Sequence, residues 1–404
     1  MRSNGETLQS GILKDFDLEP QESKKLLLPV QKFQMVRFDE YFLEIEFRLK
    51  KKMGLLPKGY LVAWEQLPLL KFNTMKTEYS DSRLKEHPTF KDVKDTDQAV
   101  EILGDDFEIV FSKTTGTLQS WIYKGHDLLL TGPKPNFWRT PTDNDFGNRM
   151  PERMAVWKQA TDGAHPKNIK VDFYKTGVGI EVFYDFPAIE SNGSILYVIY
   201  GNGQILVYYK FVAGKDNLPN IPKVGLSMQI LKEFDSMKWF GRGPHENYID
   251  RKSSAKVDIY SGKVADQFPP YVRPQESGNK TDVRWATFRN DKGDGLMVQG
   301  LLSMNASHYA LEDYDHGFGK ANSDATGNIK TIKQQRHTID MVEQDLINLD
   351  LDLIQMGLGG EDSWWSQPLE KYQIKPTNYD YFFKLVPISA KDDPIKLYRN
   401  DFLP

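Results

Sequence analysis

The stretch ILYVIYGNGQILVYYKF, Ile195–Phe211, decides the fold class. Two runs rich in β-branched and aromatic residues flank Gly201-Asn202-Gly203. Gly and Asn tolerate positive φ, so this tripeptide reverses the chain and lets the two runs pair as an antiparallel hairpin. The same reading recurs on either side. Leu43, Ile45, Phe47 and Leu49 alternate with Glu44, Glu46 and Arg48, the period of a strand with one wet face. Phe107, Ile109 and Phe111 open a strand, Lys113-Thr114-Thr115-Gly116 turns it, and Leu118–Tyr123 returns. Ile180, Val182 and Tyr184 alternate again, and turn clusters stand at Ser191-Asn192-Gly193, Ser261-Gly262 and Asn290–Gly295. Many short strands with close turns predict an all-β chain of sandwich architecture.

Helical signal is sparse. Met150, Met154 and Trp157 lie at i, i+4 and i+7 behind Pro151, which predicts one short helix over about 149–160. Strands and helices do not alternate, so the chain holds no parallel (β/α)8 barrel, which takes eight crossover helices and about 250 residues. Residues 74–100 carry many charges, including Lys76, Glu78, Asp81, Arg83, Lys91, Asp95 and Asp97, and little apolar pattern. They read as a charged linker between a small β unit, 1–73, and a large one, 101–404.

Composition bounds the function. The 404 residues carry 52 Lys+Arg against 56 Asp+Glu, a net charge of −4, which does not suit a general nucleic-acid binder. Cysteine is absent, which excludes disulfides, a thiolate nucleophile and Cys-based metal sites. No apolar run reaches the roughly 18 residues of a membrane helix, and no signal peptide is visible, so the expected compartment is cytoplasm or periplasm. No two histidines have the i, i+4 spacing of a zinc helix. His308 and His316, with Glu312, Asp313 and Asp315, read either as an oxygen-rich ion site or as a solvated loop. There is no G-x-S-x-G elbow and no phosphate-binding glycine loop.

Four stretches combine polar and aromatic residues. Asn136–Asp145 places Arg139 beside Asp143, Asn144 and Asp145, a set suited to a hydrogen-bonded loop or a buried network at a sheet corner. Trp239–Arg251 contains His245, Glu246 and Asn247; His245 and Glu246 form an acid/base pair only if a turn brings them together. Pro270–Asn279 contains Glu276. Met356–Trp365 has three Gly within four residues, then Asp362, Trp364 and Trp365. Such a loop can present an indole to the C–H face of a sugar ring, or the indoles can fill the space beneath it.

These stretches resemble the C-terminal region of the β-galactosidases of glycoside hydrolase family 2. W-R-x-P-x-D-N-D matches Trp138–Asp145, G-P-x-E-N-Y-x-D-R matches Gly243–Arg251, P-Y-V-x-P-x-E-x-G matches Pro270–Gly278 and M-G-x-G-G-x-D-S-W matches Met356–Trp364. V-A-W-E-Q at Val62–Gln66 resembles the end of the family's penultimate sandwich domain. The resemblance implies a truncated immunoglobulin-like sandwich followed by a large antiparallel supersandwich of the galactose-mutarotase type. It implies that the two catalytic Glu lie in a (β/α)8 barrel not found here. Retaining hydrolysis needs both carboxylates about 5 Å apart, so the chain alone is expected to be inactive. By the same resemblance Trp364 contacts the galactoside sugar in the active site of the complete enzyme, and Trp365 packs. Arg139, Asp143, Asn144, Asp145, His245, Glu246, Asn247, Glu276 and Asp362 are motif residues with a structural role. No cofactor is expected in this chain, while the complete enzyme uses Mg and Na ions. The implied partner is a catalytic barrel of the same or another chain, in a homo-oligomer, with no nucleic acid or membrane partner. The resemblance also implies a strand before Asn4-Gly5 that only Met1–Ser3 precede here, so the sandwich is expected to lack its first strand, as in a fragment of a longer enzyme or a separately encoded small subunit. A stand-alone aldose epimerase using His245 with Glu246 or Glu276 is the competing reading.

Overall fold

The computed structural model describes residues 1–13, 17–34, 36, 39–70, 90–174, 177–214, 216–310, 337–362 and 366–401. Strands make up 48% of it, and every strand pair among the described residues is antiparallel, as an all-β chain requires. Contacts divide the chain into two units: Met1–Ser80 with Ile395–Pro404, and Asp81–Pro394.

The small unit carries a four-stranded sheet of β1 (Arg2–Ser3), β2 (Glu6–Thr7), β3 (Tyr41–Arg48) and β4 (Leu61–Leu70), in the order β2-β1-β3-β4. Asn4, at φ 45°, makes the β1–β2 turn, and its amide donates to Asp39 Oδ1 at 2.8 Å. Asp39 also takes a fork from Arg399, Nε to Oδ1 and Nη2 to Oδ2, both at 2.8 Å. The C-terminal helix Pro394–Asp401 is thereby tied to Asp39, just before β3.

The large unit opens with a five-stranded sheet: β5 (Asp92–Asp95), β6 (Ala99–Leu103), β7 (Phe107–Ser112), β8 (Thr117–Tyr123) and β9 (His126–Asp127). β5 and the start of β6 fall inside the segment expected to be linker. Only Val93 of β5 is apolar, and the strand owes its form to pairing with β6. The expectation for residues 71–89 lies outside the described residues.

The second sheet has twelve strands: β10 (Leu129–Asn136), β11 (His165–Tyr174), β12 (Gly177–Phe186), β13 (Ser191–Tyr200), β14 (Ile205–Val212), β15 (Lys223–Leu231), β16 (Ser236–Gly243), β17 (Lys256–Lys263), β18 (Lys280–Arg289), β19 (Gly295–Ser307), β20 (Leu346–Gln355) and β21 (Tyr379–Ile388). Its main path is β10-β15-β20-β19-β21-β14-β13-β12-β11. β19 forks it: residues 295–299 pair with β21 and residues 303–307 with β20, while β18 runs along the other edge. The β13–β14 hairpin turns at Gly201–Gly203 as expected, with Asn202 Oδ1 accepting from Gln204 N at 3.1 Å. Two other expected turns move. Ser191–Gly193 lie in β13, the reversal being made by Pro187–Ile189 and Glu190 at φ 48°, and Ser261-Gly262 lie within β17.

The two sheets share one core. Phe111 meets Tyr197 edge-on at 5.2 Å, and Phe137, Trp157, Phe186 and Phe211 cluster beside it. The single helix expected over 149–160 is two short ones, α2 (Met150–Arg153) and α3 (Ala155–Asp162), preceded by an unexpected short helix, α1 (Asp143–Gly147). Arg149, at φ 59°, precedes α2, and Met154, at φ −112° and ψ 10°, breaks the helix between α2 and α3, so Trp157 reaches the core from a separate turn of helix.

Candidate functional site

The loop after β20, Met356–Gly360, is held by its backbone at four successive residues. Arg139, fully buried, donates from Nη1 to the Met356 carbonyl and from Nη2 to the Gly357 carbonyl at 3.0 Å. Asn144 Nδ2 donates to the Leu358 carbonyl at 3.3 Å, and Asp250 Oδ2 accepts from Gly359 N at 2.9 Å. The glycines permit this approach. A Cβ on Gly357 would stand 2.7 Å from Asp250 Oδ2, and Gly359 and Gly360 take φ of 69° and 118°, which side chains rarely adopt.

The holders are themselves fixed. Asp145, also fully buried, receives Arg139 Nη2 at 2.9 and 3.0 Å and Thr142 N at 3.0 Å, and its own N–H donates to Thr142 Oγ1. Thr142 and Asp145 thus form the capping box of α1, a motif that satisfies helix N–H groups left without carbonyls. Asp143, at the start of α1, accepts from Gln275 Nε2 at 3.0 Å and Arg273 Nη1 at 3.4 Å. Arg273 also lies 4.0 Å over the Phe146 ring, so the first and third motifs are joined. The second motif is stitched to the third by Asn247. Its N–H donates to Asn279 O, its Oδ1 accepts from Thr281 N, and its carbonyl accepts from Asn279 Nδ2, each at 2.8 Å. All four motifs therefore form one network whose output is the position of one loop.

Asp362 lies beyond the glycines. Its carboxylate accepts from Ser366 N at 3.2 Å and Ser366 Oγ at 2.8 Å, fixing the distance between the two ends of the segment that contains Trp364. Ser363, Trp364 and Trp365 themselves lie outside the described residues. Sequence reasoning missed Asp250, Arg273 and Thr142 as members of this network. Asp250 and Arg273 are conspicuous only once the loop is seen, whereas the T-x-x-D spacing of Thr142 and Asp145 was a readable helix start.

The proposed acid/base pair does not form. His245 Nε2 meets Ser254 Oγ at 2.9 Å, whereas Glu246 accepts from Arg251, Tyr271 and Gly278 N. Glu276 lies in a different place, a cavity of about 380 Å³ on the large sheet, where no histidine accompanies it among the described residues. Burial pushes its carboxyl above the ordinary value, against the pull of Lys223. The ion site sketched at His308 falls on residues outside the described ones at Glu312, Asp313, Asp315 and His316, and only His308 is placed. Its Nδ1 meets Leu346 O at 2.8 Å and its Nε2 meets Asp235 Oδ1 at 3.0 Å, while residues 311–336, with His316, lie outside the described residues. Among the described residues no three His, Asp or Glu side chains are grouped to hold a metal ion.

Residues 103–385 match the family described as "Beta galactosidase small chain", more than half of the chain. The chain belongs to that family. Residues 1–70 of this small-chain family member match a second description, "Beta-galactosidase, domain 4". A β-galactosidase of Priestia megaterium is 35% identical over 87% of this chain and 32% of its own length. One from Lactobacillus delbrueckii subsp. bulgaricus is 30% identical over 86% of this chain and 32% of its own. The chain thus spans about a third of the length of these relatives. Among solved structures, a galactose 1-epimerase from Lactobacillus acidophilus aligns over 75% of this chain and 98% of its own with a TM-score of 0.40 and 8% identity. No helix among the described residues is long and apolar enough to cross a membrane.

Proposed function

We propose that this chain is the non-catalytic C-terminal portion of a β-galactosidase, and that it serves a larger assembly by positioning a sugar-contacting loop against a catalytic barrel. The observation that carries the reading is the hold on Met356–Gly359: three side chains from two motifs, one of them buried and ion-paired, fix a glycine loop by its main chain. A loop held in this way acts by presenting the residues that come after it. Among these is Asp362, whose carboxylate bridges to Ser366 across the segment that contains Trp364. A flat indole offers apolar area to the C–H face of a pyranose, so Trp364 is the residue to which we assign sugar contact. The two carboxylates of a retaining glycosidase are assigned to the barrel, because Glu246 is spent on Arg251, Tyr271 and Gly278.

The test uses a chromogenic galactoside. The chain alone should give no hydrolysis, and activity should appear when it is mixed with a barrel-bearing chain. In the reconstituted enzyme Trp364→Ala should raise KM and weaken galactose inhibition with little change in melting temperature. Hydrolysis by the purified chain alone would refute the non-catalytic assignment, and an unchanged KM would refute the role of Trp364.

A further inference from the structure

The cavity that holds Glu276 is formed by β10, β15, β19, β20 and the residues just after β19, all within the large unit. At about 380 Å³ it falls at the small end of ligand sites, which run from about 300 to 1,000 Å³. It suits one small ring. Its polar wall is ordered in advance. Asn136 Nδ2 donates to Ser227 Oγ and Ser227 Oγ to Asp350 Oδ1, both at 2.6 Å, and Lys223 Nζ donates to Asp350 Oδ2 at 2.8 Å. A second run leads from Thr131 Oγ1 to Gln229 Oε1 at 3.3 Å and from Gln229 Nε2 to Asn348 Oδ1 at 2.9 Å. Asn305 Nδ2 donates to Glu276 Oε1 at 3.3 Å.

Those bonds lock the rotamers and leave part of the wall in hand. Asn305 Nδ2 also donates to Ser277 O, and Asn348 Nδ2 donates to Tyr309 O and Gln344 Oε1, so these two amides offer a ligand acceptor positions only. Asn136 and Gln229 each spend one of two N–H donors on the bonds above and keep the other for a ligand. Its charges are already matched. Lys223 lies 2.8 Å from Asp350 and 3.7 Å from Asp352, and these carboxylates hold its ammonium above the ordinary lysine value although burial alone would lower it. Gly225 makes room for the arrangement, since a Cβ there would fall 1.8 Å from Asp352 Oδ1. An anion entering the cavity meets Asp350 and Glu276, and a cation finds Lys223 in its place. Arg139 also lines the cavity, and its buried Nε has no hydrogen-bond partner among the described residues. A neutral ring bearing several hydroxyls fits this combination of size, charge balance and mixed donors and acceptors.

We infer that this cavity is a binding site for a neutral monosaccharide, a pyranose hydrogen-bonded by the polar groups of Asn136, Gln229, Glu276, Asn305 and Asn348. The site is built from this chain alone, so it rests neither on the assignment of Trp364 nor on a barrel. The test is titration of the full chain with D-galactose and D-glucose, read by calorimetry and by ligand-observed NMR, with acyclic mannitol as control. One or both pyranoses should bind saturably with a Kd of about 1 mM, the affinity open to so small a ligand. Asn348→Leu and Asn305→Ala should each weaken binding about tenfold, the effect of one lost hydrogen bond. Thr131→Trp, which adds bulk at the cavity and gives up only the 3.3 Å bond to Gln229 Oε1, keeps the test valid if either amide variant fails to fold. Trp364→Ala should leave this affinity unchanged. Absence of saturable binding by either sugar, or unaltered binding in all folded cavity variants, or loss of binding only in Trp364→Ala, would overturn the inference.

Discussion

Replacing Arg139 with Ala probes the network at its centre. The guanidinium makes two bonds to Asp145, at 2.9 and 3.0 Å, and one to each of the Met356 and Gly357 carbonyls, with both ionic side chains fully buried. Removing one partner of a buried ion pair costs about 3–5 kcal/mol, because the other charge remains without compensation. Each orphaned carbonyl adds about 1–3 kcal/mol, offset where water enters the vacated space. We therefore expect a total of about 5 kcal/mol. At roughly 2–4 °C per kcal/mol for a unit of this size, the large unit should melt at least about 10 °C lower. Arg139→Lys should recover part of this, since an ammonium keeps the charge but cannot fork to Asp145 and reach both carbonyls. The assay is calorimetry of the four members of an Arg139→Met, Asp145→Leu double-mutant cycle, with limited proteolysis between residues 356 and 366 as the report on the loop. A melting temperature for Arg139→Ala within about 2 °C of the parent, or strict additivity in the cycle, would refute the reasoning.

Single contacts give three further outcomes. Gly357→Ala should lower stability by about 1–3 kcal/mol and speed cleavage in the loop, since its Cβ would crowd Asp250 Oδ2 and Tyr372 Cβ; an unchanged cleavage rate would count against the tight approach. Asp39→Ala removes the Arg399 fork and the Asn4 bond together, and should destabilise the small unit by about 2–3 kcal/mol while leaving the melting of the large unit in place, which separate calorimetric transitions would report. Burial pushes the Lys280 ammonium down to about 8. Between that value and the ordinary lysine pKa the unfolded chain binds the extra proton, so this group makes stability rise as pH rises through that window. The gain approaches about 3 kcal/mol at its upper end. Chemical unfolding from pH 7 to 10 should show the rise in the parent and not in Lys280→Met; equal slopes in both would exclude it.

What was legible in the sequence was what is local. The hairpin at Gly201–Gly203 depends on three residues and the runs beside them, and it formed as read. The motifs are local patterns, and they do not show that Asn247 bonds to the third motif while Asp250, three residues on, bonds to the fourth. β5 was hidden because three of its four residues are charged, and its partner, not its own pattern, makes it a strand. The helix expected over 149–160 was one periodic run, yet the break at Met154 between α2 and α3 cannot be read from a Met. The cavity was hidden by distance, because Lys223 and Asp350 meet across two strands. One clue was available. In LINLDLDLIQ of β20, Asn348, Asp350 and Asp352 recur at every second position, an unusual line of polar groups on one face of a strand whose neighbours are core leucines.

The placement of β21 has a consequence for synthesis. It lies between β19 and β14, in the middle of the main sheet path, although it comes after every other strand among the described residues. At about 5–20 residues per second, some ten to thirty seconds separate the emergence of β14 from that of its partner. Throughout that interval the apolar edge of β14, Ile205 to Phe211, faces the cell without its neighbour. Synthesis thus sets a period in which this edge is unpaired, and a nascent chain arrested before Tyr379 should be cleaved by a protease that spares the released protein.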